Sequence, residues 1–135
     1  MKKPVLLSMT IMGIIFYSCS AKTYSSNGES IYRTGKNLAG EYLLDKNKSQ
    51  ITIFHSCQGC HGKNGEKIRA CNITWSYLSN PQYYNIPYND SLFFRFLDLD
   101  LKSDGTAART GVHWKLSETD KKELLDFIKT LSLKL

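Results

Sequence analysis

The stretch Cys57-Gln58-Gly59-Cys60-His61, followed by Gly62 and by Lys63-Asn64-Gly65, is the point from which the rest of the chain is read. Its two thiols stand about one helical turn apart and an imidazole follows the second. The glycines and the Asn-Gly turn signal stop any long helix from running on. Upstream, Leu38 to Phe54 contains no proline and no interior glycine after Gly40. It is read as a helix starting at Leu43 and Leu44, with Ile51 and Phe54 on one face, although the β-branched run Ile51-Thr52-Ile53 lowers its propensity. Downstream, Asn72 to Leu78 is read as a short helix ended by Asn80-Pro81, because the residue before proline is pushed away from helical dihedrals.

Asn89-Asp90-Ser91 offers N-caps to a helix whose Leu92, Phe93, Phe96 and Leu97 share a buried face. Residues 100 to 116 read as a loop. The last element is the clearest. Ser117 caps it, Asp120 favours its positive end, and Leu124, Phe127, Ile128 and Leu131 make one apolar stripe. With no internal repeat and no alternating strand pair, the fold class expected is all-α.

The formal charge is +6, and Lys2 and Lys3 account for two of these charges. The other basic residues are scattered among acids, which reads as a solvated surface and not as a nucleic-acid patch. Residues 1–18 read as an export signal: two lysines, then an apolar stretch from Pro4 to Tyr17, shorter than the roughly 20 residues a spanning helix needs. Phe16-Tyr17-Ser18-Cys19 resembles the lipobox of bacterial lipoproteins, although Phe16 and Tyr17 stand where the usual box has leucine and a small residue. That resemblance implies lipidation at Cys19 and a membrane held through lipid; the alternative is ordinary cleavage and a soluble product. Residues 19–37, polar and aperiodic, are then a lipidated cysteine and flexible tether, and the folded domain spans 38–135.

Thiols at the spacing of Cys57 and Cys60 can add to the two vinyl groups on one edge of a haem, and His61 can then turn its ring onto the iron; the pattern is that of c-type haem attachment. Competing readings are a chance match, a redox disulfide, which needs a βαβ setting absent here, and half of a zinc site, for which only Cys71 and His113 could supply the remaining ligands.

From residue 40 onward the chain resembles the small monohaem cytochromes c. The matching features are the entry through Phe54 into Cys57-Gln58-Gly59-Cys60-His61-Gly62, the turn at Gly65, and the Leu116-Ser117 start of the last helix. The resemblance implies one covalent haem c enclosed by crossing first and last helices, and a protein of the cell envelope that carries electrons between redox partner proteins and has no catalytic residue of its own. Alternatives are a haem enzyme or gas sensor with an open sixth position, and an electron-delivering subunit of a larger oxidase or dehydrogenase.

The chain departs from that family in two respects. The family's usual second ligand is a methionine before the last helix, but here the methionines are Met1, Met9 and Met12. His113 is therefore the expected second iron ligand, with His55 and Lys102 or Lys115 as weaker choices and a five-coordinate iron as the alternative. The family's proline, whose carbonyl accepts from the proximal imidazole, is replaced by the run Ala70-Cys71-Asn72-Ile73, where a backbone carbonyl can do the same work. Trp75, Tyr77, Phe93, Phe94, Phe96 and Trp114 are read as core or haem-pocket packing. Tyr83, Tyr84 and Tyr88 are read as a cover for the haem edge or a partner surface.

Overall fold

A computed structural model describes residues 22–67 and 71–131. The expected export signal and Cys19 lie outside the described residues. Within them the chain is all-α: α1 (Asn27–Thr34), α2 (Cys57–His61), α3 (Trp75–Leu78), α4 (Asp90–Leu99) and α5 (Glu118–Leu131), with isolated β-bridges and no strand. None of the described helices is long and apolar enough to cross a membrane.

α5 begins where its sequence says it should. Ser117 Oγ accepts from the Asp120 N–H at 3.1 Å, and the Asp120 carboxylate accepts in return from Ser117 N–H and Oγ, a reciprocal cap. Its inward face buries Leu124, Leu125, Ile128 and Leu131, each contributing about 1.5–3 kcal/mol of hydrophobic stabilisation. α4 is capped by Asn89, whose side chain accepts from the Leu92 N–H at 2.9 Å, and it turns Phe93 into the core.

Two expectations are corrected. Residues 19–37 are not all tether: Asn27–Thr34 forms α1, capped by Ser26 and closed at Gly35 in a left-handed conformation. Ile31 and Tyr32 on α1 are fully buried, so the domain does not begin at residue 38. α1 packs chiefly on α5, and the crossing is tight at Gly28, where a Cβ would lie 1.9 Å from the Glu123 carbonyl oxygen. The first and last helices pack on each other, and the first helix lies earlier in the chain than expected.

The second correction concerns Leu38 to Phe54, which is not helical. Its backbone groups pair with a distant partner: the Asp45 N–H donates to the His113 carbonyl (2.9 Å), the Gln50 N–H to the Gly111 carbonyl (2.9 Å), and Leu44 bridges Trp114. The β-branched run suits that extended path, and Leu43 and Leu44 still reach the buried interior.

Candidate functional site

α2 is a single turn, too short to hold itself, and α1 holds it. Tyr32 OH donates to the Gly62 carbonyl at 2.7 Å and Arg33 Nη1 donates to Gln58 Oε1 at 3.0 Å. Gly35 lets the chain after α1 pass so close to the segment before α2 that a Cβ there would lie 1.6 Å from the His55 carbonyl oxygen.

Beyond α2 the chain turns back. The Lys67 N–H donates to the His61 carbonyl (3.0 Å) and the Ile73 N–H to the Gly65 carbonyl (2.8 Å). This brings the Cys71 carbonyl oxygen within 2.6 Å of His61 Nδ1. A carbonyl only accepts, so Nδ1 carries the proton and Nε2 is left with its lone pair. Burial pushes the His61 pKa down, against the opposing pull of that carbonyl, and so favours the neutral, ligating form.

Cys57, Cys60 and His61 line one cavity that opens to solvent. Its walls are mostly apolar: Ile51 and Phe54 from the segment ahead of α2, Phe93, Phe96 and Leu97 from α4, and Leu124 and Ile128 from α5. Its polar lining beyond α2 is chiefly Asp100 with Thr110. The Asp100 carboxylate accepts from Thr110 Oγ1 at 2.7 Å and from the Thr110 N–H at 3.0 Å.

The structure does not bring His113 into this cavity. Thr110, Val112 and Trp114 line it, while His113 is exposed and absent from the lining. The segment is extended, so alternate residues face opposite sides. Its register is held by the Leu44–Trp114 bridge, by the Asp45 N–H on the His113 carbonyl, and by the Lys115 N–H on the Leu43 carbonyl at 2.7 Å. His55 is also exposed and outside the lining, its ring 6.2 Å from that of Tyr42.

Among the aromatics, Phe93, Phe96 and Trp114 line the cavity, whereas Trp75, Tyr77 and Phe94 do not. Tyr83, Tyr84 and Tyr88 do not cover it; they cluster with Tyr77, and Tyr88 meets Phe96 edge-on at 6.4 Å. Asp100, Thr110 and the bracing residues of α1 went unread in the sequence. The signal for α1 was there in Ser26-x-x-Glu29 ahead of Ile31-Tyr32, closed by Gly35.

Among the described residues no group of three or more His, Cys, Asp or Glu stands together. Burial pushes the Cys57 thiol up to about 12, the opposite of the depressed value a reactive dithiol needs. Two thiols and an imidazole with its Nδ1 proton engaged thus line one mostly apolar cavity. No known family, curated protein or solved structure matches the chain.

Proposed function

We propose that this chain is an electron carrier of the cell envelope, holding one c-type haem through thioether bonds at Cys57 and Cys60 with His61 as its iron ligand. One observation carries the reading: both thiols and the imidazole line the same apolar cavity, with the His61 Nδ1 proton engaged by Cys71 and its Nε2 free. Such a haem supplies a one-electron ferric–ferrous couple.

The rest is the work of the chain's own residues. Cys57 and Cys60 fix the position of the group, and the Cys71 carbonyl sets the orientation and basicity of the imidazole. Aromatic and aliphatic walls keep water from the interior of the site. Ile51 and Phe54, both exposed in part and both lining the cavity, lie on a route to the outside along which electrons can be exchanged. No side chain is assigned a catalytic role. In this reading Cys19 carries lipid and keeps the domain on the membrane, so Cys19→Ala should release it to the soluble fraction; unchanged mass and unchanged fractionation would remove the anchor from the proposal.

The test is a pyridine haemochrome spectrum and an intact mass on the exported protein. One haem per chain is expected, bound covalently. Cys57→Ala or Cys60→Ala should weaken or lose attachment, and His61→Ala should lose the axial nitrogen. An exported chain whose mass includes no haem ends the proposal.

A further inference from the structure

We infer that the chain leaves the second axial position of a haem bound at His61 to a small neutral molecule from solution, in a cavity whose polar lining beyond α2 is chiefly Asp100 with Thr110, and does not fill it with a side chain of its own. This rests on the haem reading above and goes beyond electron carriage to a ligand-binding site.

The argument is an inventory of donors. The chain has three histidines, and all are among the described residues. His61 is used, while His55 and His113 are exposed and outside the cavity lining. The methionines all precede residue 13, ahead of the described domain. Among the described residues no lysine lines the cavity. Once Cys57 and Cys60 are taken as thioethers, the donors left in the lining among the described residues are Cys71, Ser56, Asp100 and Thr110. Cys71 belongs to the side of His61 that faces away from Nε2, since its carbonyl meets Nδ1. Ser56 directly precedes the α2 turn. The Asp100 carboxylate is engaged by Thr110 through both its N–H and its hydroxyl.

Turning His113 inward is not a matter of a side-chain rotation. In an extended segment the change of face requires a register slip of one residue, which would also turn Val112 and Trp114 outward and break the pairing with Leu43, Leu44 and Asp45. The same alternation that places Val112 and Trp114 against the cavity keeps His113 out.

The chemistry of the pocket selects the ligand. With the Thr110 hydroxyl donating its hydrogen bond to the Asp100 carboxylate, the pair presents acceptor oxygens and a negative charge, and the walls around it are aliphatic and aromatic. A small neutral molecule is admitted there, whereas an anion meets the carboxylate and pays the desolvation of an apolar pocket.

The holoprotein tests this once a pyridine haemochrome has shown the haem. A high-spin ferric spectrum is expected, with prompt carbon monoxide binding to the ferrous form and spectra unchanged in His113→Ala. Asp100→Asn keeps a residue tolerant of the left-handed conformation at this position, where φ is 53°, and should raise ferric azide affinity by about tenfold. A haem that is low-spin in the ferric form and refuses carbon monoxide overturns the inference and leaves electron carriage standing. So does a low-spin spectrum that becomes high-spin in His113→Ala. An azide affinity indifferent to Asp100→Asn removes the carboxylate from the selection and overturns the neutral-ligand claim. Absence of haem overturns both readings.

Discussion

Val112 and His113 are neighbours in the chain but face opposite sides of an extended segment, and this one-residue difference decides which of them meets the cavity. On the proposed haem reading, a ligating ring at the inward position would reach the site that His113 is turned away from. Val112→His is then expected to give a low-spin form that no longer takes up carbon monoxide, as read by visible absorption. At the same scale, Tyr32 OH holds the turn after the motif through the Gly62 carbonyl. Tyr32→Phe leaves that carbonyl without its partner and should cost about 1 kcal/mol in chemical denaturation. The grouping of Cys57, Cys60 and His61 on one helical turn was legible in the sequence because it depends on separations of one and three residues. The Cys71 carbonyl was legible only as a possibility, since its approach to His61 is made by a loop whose path no local pattern specifies.

Among the elements, the crossing of α1 on α5 is the contact with least tolerance. Gly28→Val places a branched side chain where even a Cβ meets the Glu123 carbonyl, so the helices must separate. A loss of about 3 kcal/mol or more is expected from thermal unfolding, with haem uptake falling in parallel because α1 braces α2. α1 also carries a pH dependence. Hydrogen bonds from Ser25 and then the Arg33 ion pair lower the Glu29 pKa to about 2. A carboxylate depressed in the folded state contributes stability that is fully present above its unfolded value of about 4.3 and is lost as the pH falls towards 2. Glu29→Gln should flatten the stability profile across that window in urea titrations at stepped pH. α4 and α5 were legible because cap and stripe agree; α1 was not, because its eight residues are mostly polar and their two large apolar side chains matter only once α5 lies against them.

For the whole molecule, the consequence is that the two ends of the domain fold against each other, with Ile31 and Tyr32 in the same core as Leu124, Leu125 and Ile128. A chain begun at Leu38, where the sequence alone would start the domain, lacks α1 and exposes the apolar face of α5. It is expected to show no cooperative thermal transition by circular dichroism, whereas a chain begun at Lys22 should keep the transition of the longer protein. A second lock joins α4 to α5: the buried Lys121 ammonium lies 2.8 Å from the Asp98 carboxylate and also meets Glu118. The first lock bears on the site directly, because α1 also holds the one-turn helix α2 through Tyr32 and Arg33.

What the sequence by itself determined is local. The spacing of Cys57, Cys60 and His61, the caps at Asn89 and Ser117, and the stripe on α5 follow from interactions between residues a few positions apart, which the order of residues states directly. What the tertiary structure decided is which distant segments meet. Leu38 to Phe54 gave up a helix for pairing with residues 111 to 115, α1 came out of a polar run to cross α5, and His113 was turned away from the cavity by a register set at Leu44. The physical reason is the same in each case. Marginal local preferences yield to hydrophobic burial and backbone pairing supplied by a partner far along the chain, and the face a side chain shows is fixed only when that partner is in place.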